Sequence, residues 1–226
     1  MITVRYLGHS CFYLISDKRS TIVIDPYGSR LGYHFPPIDA DICLLTHEHR
    51  DHNAVSRVGG NPRVLKRTCD FQVEHEVTLE KSKETFIFQG LPSFHDKLAG
   101  RKEGPNTIFS WMMGDMKFCH LGDLGTLLDD KQLFRLGIVD VLFVPVGGKI
   151  TLTPLEAKLT INMIKPKVVF PMHYLTPETR DTSLAQFTLD DFLAETRDVE
   201  KMNSLAVTID RSKLPENTQI WVLNYQ

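Results

Sequence analysis

The run Leu44-Leu45-Thr46-His47-Glu48-His49-Arg50-Asp51-His52 constrains this chain more than any other stretch, because it sets three imidazoles and Asp51 within six positions directly after an apolar segment. If Asp41–Leu45 is a buried strand, His47 and His49 leave its end in extended chain. Residues two apart then share a face and can grip one ion together. Asp51 and His52 fall where the chain turns into a helix expected over Asn53–Val58, which aims a second pair of donors at a neighbouring point. A solvated polar loop accounts for one such histidine. A dense His/Asp set at ligand spacing points to a metal.

Further ligands are expected where other strands end, since open catalytic sites gather side chains from several loops. His95 follows the apolar-rich run from Thr85 to Pro92, Asp123 lies in Phe118-Cys119-His120-Leu121-Gly122-Asp123, and His173 follows Val168-Val169-Phe170-Pro171-Met172. Taken singly, each reads as a turn residue or a satisfied polar group. Joined to the first cluster they make seven donors, enough for two four- or five-coordinate ions with positions left for water.

His-x-His-x-Asp-His followed by a separate His, Asp and His resembles the metallo-β-lactamase-fold hydrolase superfamily, over Gly8 to about Tyr174. Ile24-Asp25-Pro26 is similar to its first motif, an Asp that supports the metal-ligand histidines. Leu7-Gly8-His9-Ser10, Ser93-Phe94-His95-Asp96, Gly104-Pro105-Asn106-Thr107, Val144-Pro145-Val146-Gly147-Gly148 and Pro171-Met172-His173-Tyr174 resemble, more narrowly, the branch with ascorbate-6-phosphate lactonase-like proteins. The resemblance implies an α/β fold, a four-layer αββα sandwich, with His47, His49 and His95 on one ion and Asp51, His52 and His173 on the other. Asp123 would bridge them. Redox members of the superfamily replace the second His of the first motif with Glu, so His49 favours hydrolysis. Arg50 and Ile150 depart from the aromatic residues that relatives often carry at the site mouth.

Two cations about 3.5–4 Å apart lower the pKa of a shared water and polarise the oxygen it attacks, so a metal-bridging hydroxide is the expected nucleophile. Asp51 is the expected group to orient that water or receive its proton. Gly8-His9-Ser10 lacks the flanking glycines of a serine nucleophile elbow. The all-nitrogen-and-oxygen donor set suits zinc, manganese or iron without choosing between them; two divalent ions are expected, with zinc the leading expectation. Around the ligands, Asp25 is expected to hydrogen-bond a ligand histidine. His9 faces the metals or caps a turn, and Asn106 donates to an oxyanion or shapes its loop. Arg101, Lys102, Lys149 and Tyr174 are polar candidates to line the site. The expected function is hydrolysis of a small ester or lactone. Alternatives are a phosphodiesterase and, in another class, a non-catalytic metal-binding or sensor protein.

Composition fits one soluble domain spanning 1–226, with 42% hydrophobic and 24% charged residues. The 26 basic and 28 acidic residues leave a net charge of −2, no footprint for nucleic acid or anionic membrane, so a small-molecule substrate is the expected partner. Cys11, Cys43, Cys69 and Cys119 are widely spread and read as core thiols of a reducing compartment. No secretory pattern opens the chain and no apolar run approaches the ~20 residues of a membrane span, so the cytoplasm is the expected location.

Alternation predicts strands over Thr3–Tyr6, Cys11–Ser16, Thr21–Ile24, Asp41–Leu45, Thr85–Gln89, Thr107–Trp111 and Met116–His120. Helices are predicted over Leu127–Leu136, Leu189–Thr196 and, most clearly, Pro154–Ile164, with Thr153 as N-cap, Pro154 at N1 and Glu156 closing a capping box. Leu155, Leu159 and Met163 form its expected buried stripe. Strands Val139–Val144 and Val168–Phe170 flank this helix as a βαβ unit, and further strands are expected near Leu205–Ile209 and Ile220–Leu223. The polar stretch Tyr174–Ser183 is the expected mobile loop beside His173.

Overall fold

A computed structural model describes residues 1–66, 74–194 and 196–225; Cys69 lies outside them. In chain order come β1 (Ile2–Gly8), β2 (Cys11–Ser16), β3 (Thr21–Ile24), β4 (Ile42–Leu45) and β5 (Arg63–Lys66). Next are β6 (Glu74–Thr78), β7 (Thr85–Phe94), β8 (Pro105–Met113), β9 (Met116–His120), helix α1 (Asp130–Leu136) and β10 (Val141–Pro145). Helix α2 (Pro154–Ile164), β11 (Val168–Met172), helix α3 (Leu189–Leu193), β12 (Val199–Lys201), β13 (Ala206–Ile209) and β14 (Gln219–Val222) follow.

The strands form two mixed sheets, one ordered β13-β1-β2-β3-β4-β5 and the other β12-β14-β11-β10-β9-β8-β7-β6. Period-two alternation gives the first sheet two apolar faces. Val4, Tyr6, Phe12, Leu14, Ile24 and Leu44 enter one buried cluster with the second sheet, and the Phe12 ring lies 4.3 Å from that of Phe143 on β10. Cys11, Tyr13, Val23, Cys43 and Leu45 face the other way, against Tyr27, Leu31, Tyr33 and Phe35 of the long β3–β4 connection. The two packed sheets of the αββα fold are thus observed, with α1, α2 and α3 packed in the cluster that includes the second sheet and, among the described residues, loop aromatics covering the outer face of the first.

α2 is built as expected: the Thr153 side chain accepts from the Glu156 amide, and Glu156 accepts from the Thr153 amide. It joins the parallel neighbours β10 and β11. Its buried side, however, is Ala157, Thr160, Ile161 and Ile164, while Leu155, Leu159 and Met163 are exposed. The helix carries apolar residues at helical spacing on two faces, and the small Ala157 lies on the one that packs. Asn53–Val58 is not an α-helix but a 3-10 turn, Val55–Arg57, without a side-chain cap. α1 starts later than expected because Asp129 caps it. β5, β6 and β12 are additional to the expected strands.

Candidate metal centre

Every expected ligand follows the carboxyl end of a strand, on one edge shared by both sheets. Thr46 to His52 follow β4, His95 follows β7, Asp123 follows β9, His173 follows β11, and Asp25 follows β3. This is where open α/β sheets place their ligands. His9 sits in the β1–β2 turn with a left-handed backbone (φ 55°), its carbonyl accepting from the Tyr6 hydroxyl at 2.8 Å and from the His173 amide at 2.9 Å. Gly122 (φ 57°) lets the Asp123 loop close. A Cβ there would stand 2.2 Å from Asn106 Oδ1 and 2.7 Å from Thr46 Cβ, which no side chain tolerates.

The histidines are oriented by their outer nitrogens. Asp25 accepts from the Thr46 amide (2.8 Å) and hydroxyl (2.7 Å), and its Oδ2 lies 3.1 Å from His52 Nδ1. With its proton given to Asp25, the Thr46 hydroxyl oxygen is left to accept from His47 Nδ1 at 2.9 Å. His95 Nδ1 donates to the Ile150 carbonyl at 2.8 Å. These acceptors fix the tautomers that turn the Nε2 lone pairs of His47, His52 and His95 inward, as around bound metals.

The inward atoms converge. Asp123 Oδ2 lies 3.0 Å from His95 Nε2, 3.0 Å from His173 Nε2, 3.2 Å from His52 Nε2 and 3.8 Å from His47 Nε2. Yet Nε2 of His47, His95 and His173 and Oδ2 of Asp123 are buried without a hydrogen-bond partner. Buried polar atoms this close and this poorly satisfied cost stability unless a cation lies among them. Potential ligand atoms of His47, His49 and His95 fall within 4.8 Å of one another, as do those of His9, Asp51, His52 and His173. The residues therefore fit bound metal, and His9 joins the group of Asp51, His52 and His173. His9 Nε2 is 3.1 Å from Asp51 Oδ2 and 3.2 Å from His52 Nε2.

The electrostatics suit cation binding. Burial pushes the carboxyls of Asp123 and Asp51 upward, but the surrounding histidines outweigh it and hold both well below the usual carboxylate range, ionised. Burial lowers His47, with His52 adding to it, and brings His9 to about 4, so both present neutral rings. For His52, burial acts downward but Asp123 and Asp51 prevail and raise it. Its proton is one that a cation must displace.

Asn106 is not free to serve an oxyanion. Its amide donates to Ser93 Oγ (2.7 Å) and the Leu121 carbonyl (2.8 Å), and its Oδ1 accepts from the Asp123 amide (3.0 Å). It shapes the Asp123 loop. His120, assigned no role from sequence, is fully buried; its Nδ1 accepts from the Gly122 amide and its Nε2 donates to the Ser10 carbonyl, joining that loop to the His9 turn. Only its place three residues before Asp123 hinted at this. Tyr174 is buried beside Tyr6 rather than facing the ligands. The expected mobile stretch after it is anchored: Tyr33 Oη lies 2.8 Å from Thr176 Oγ1, and Thr179 Oγ1 accepts from the Thr176 amide. Arg101 and Lys102 bond within their own loop, to Leu98 and Glu103. Beside Asp51, a cleft of about 540 Å³ is lined instead by Arg30 and Arg50 with Gly28, Ser29, Leu31, Thr182 and Leu184.

Two sheets whose strand ends gather a buried His/Asp cage define a metal-dependent hydrolase of the metallo-β-lactamase superfamily. Residues 3–173 match the family described as the β-lactamase superfamily domain, and the chain belongs to it. It is 30% identical over 209 residues to a metal-dependent hydrolase of Methanobrevibacter smithii, covering 80% of this chain and 86% of that protein. A metal-dependent hydrolase of Thermococcus onnurineus is 29% identical over 194 residues, covering 78% and 86%. The solved structure of a candidate Zn-dependent hydrolase of the metallo-β-lactamase superfamily from Thermotoga maritima matches with a TM-score of 0.77 at 30% identity, covering 100% of both chains. Among the described residues, no helix is long and apolar enough to cross a membrane.

Proposed function

We propose that this chain is a binuclear hydrolase of a small ester or lactone. His47, His49 and His95 would hold one cation, Asp51, His52 and His173 the other, with Asp123 between the two groups. One observation carries this reading: Asp123 Oδ2 stands within 3.8 Å of four imidazole Nε2 atoms from both groups, while most of those buried atoms lack hydrogen bonds. When bound, the cations supply a reactive water near neutral pH and polarise the oxygen of the scissile bond. The chain's own residues do the positioning. Asp51, 17% exposed and contacted by His9 Nε2, opens onto the cleft and is placed to orient the attacking water and accept its proton. Asp25, through His52 and Thr46, keeps the donor nitrogens pointed inward. A cleft of about 540 Å³ suits a small substrate.

The ester or lactone reading draws on the narrower sequence resemblance; the nitrogen and oxygen donors suit zinc, manganese or iron alike, and zinc is placed first because the Thermotoga maritima relative is described as Zn-dependent. Elemental analysis of protein purified without added metal should approach two ions per chain, and a stoichiometry stuck below one would sink the bridged arrangement. Ester and lactone substrates should turn over well above a His47→Ala/His49→Ala control. A rate confined to phosphodiesters would replace the substrate class, and no rate on any of them would favour a metal-holding sensor.

A further inference from the structure

The cleft beside Asp51 carries an unused feature. Arg30, from the β3–β4 connection, and Arg50, from the ligand loop itself, both line it with exposed side chains. Neither has an ion-pair or hydrogen-bond partner among the described residues. The other lining residues are glycine, hydroxyl and leucine side chains, and among the described residues Asp51 is the one acid that lines it. That one negative charge belongs to the second donor group, where a bound cation would neutralise it. Two unpaired guanidinium groups therefore line one part-apolar recess beside the donor groups, on a chain whose net charge of −2 offers no general attraction for anions. Guanidinium groups match carboxylate and phosphoryl oxygens with paired, charge-assisted hydrogen bonds, and low-dielectric walls strengthen them.

We infer that Arg30 and Arg50 form an anion subsite, so that the preferred substrate carries a carboxylate or phosphoryl group apart from the bond that is cleaved. Leu31 and Leu184 line the cleft for the short hydrocarbon between the two. This inference rests on the hydrolase reading above and deepens it: the metal groups choose the bond, and the arginines choose the molecule.

The test uses the metal-loaded enzyme and matched aryl esters differing only at the acyl tail: neutral pentanoate, glutarate with a terminal carboxylate, and a phosphate-terminated analogue. The charged members should show kcat/KM at least about tenfold above the neutral one, the difference residing in KM and shrinking as salt rises. Arg30→Gln and Arg50→Gln should each lower that ratio, and the double variant should bring it to about one. Whichever charged tail is preferred identifies the anion. Equal losses on charged and neutral esters, or no preference in the parent enzyme, would overturn the subsite while leaving the hydrolase intact. If no ester is cleaved, the substrate reading fails, and the subsite is then judged by binding: glutarate or inorganic phosphate should raise the Tm of the metal-loaded parent more than that of the double variant. An equal rise in both would refute it.

Discussion

In the proposed centre His47, His49 and His95 would offer one cation three imidazole nitrogens, with His49 partly open to solvent, whereas Asp51, His52 and His173 would offer the other a carboxylate, with His9 beside it and Asp25 behind it. The second group is the more buried and brings the negative charge that a divalent ion favours. The first depends on Asp123 for any charge at all. A pair of ions held this way should be unequal in affinity though joined by one carboxylate, and graded chelation should remove them in two phases, the His49 side first.

The largest effect should come from the shared residue. Asp123→Ala should drop metal content from about two ions toward none and lower kcat/KM by roughly a thousandfold or more, since it removes the carboxylate on which the inward Nε2 atoms of both groups converge. Retention of either ion at full occupancy would show that the groups are independent. Next, Asp25→Ala should weaken the second ion by about 10–100-fold, the usual cost of losing the acceptor behind a ligand imidazole, with a smaller effect on the first ion relayed through Thr46. Equal weakening of both would reverse the ranking of the two groups. A smaller effect belongs to His9→Gln, which should lower occupancy of the second ion several-fold without moving the first, read by competition with a chromophoric chelator. A change confined to the first ion would remove His9 from the second group.

The smallest effect lies at the rim. Asp96 accepts from the amides of Leu98, Gly100, Lys102 and Glu103, closing the loop after His95. Burial acts upward on its carboxyl, but these amides prevail and bring it to about 2. Because the folded value is depressed, its stabilisation is present above the unfolded value near 4 and is lost as pH falls through about 2. The amide resonances of those four residues should titrate with a midpoint near 2. A midpoint near 4 would mean the loop leaves Asp96 in ordinary solvent.

Much of this centre was legible because ligand chemistry writes itself into spacing. The Thr46–His52 run and the Ile24-Asp25-Pro26 motif are local, and the strands that end at them alternate clearly. What was hidden depends on long-range closure. Sequence left Asn106 open between an oxyanion donor and a loop-shaping residue, and its amide bonds to Ser93 and Leu121, each fifteen residues or fewer away in sequence but on other strands and loops, decide for the second. His120 is a lone histidine inside a strand pattern, and its bond to Ser10 spans 110 residues. α2 shows the opposite failure: Leu155, Leu159 and Met163 have the right period, yet the sheet meets the face of Ala157 and Ile161. Periodicity says that a helix has an apolar stripe, and packing decides which of two stripes is covered. Arg30 could not be placed near Arg50 from sequence, because the intervening connection has no regular structure to fix its path.

That connection has a further implication. Tyr27, Leu31, Tyr33 and Phe35 are sunk into the cluster behind the first sheet, and the Tyr27 hydroxyl donates to the Leu7 carbonyl, while Ser29 and Arg30 between them project outward. The segment is pinned at both ends by residues that fold requires and left free at its tip. Substitutions at 29 and 30 can therefore change which molecules are admitted without disturbing the anchoring aromatics or the cage, so this fold can acquire new preferences one tip at a time.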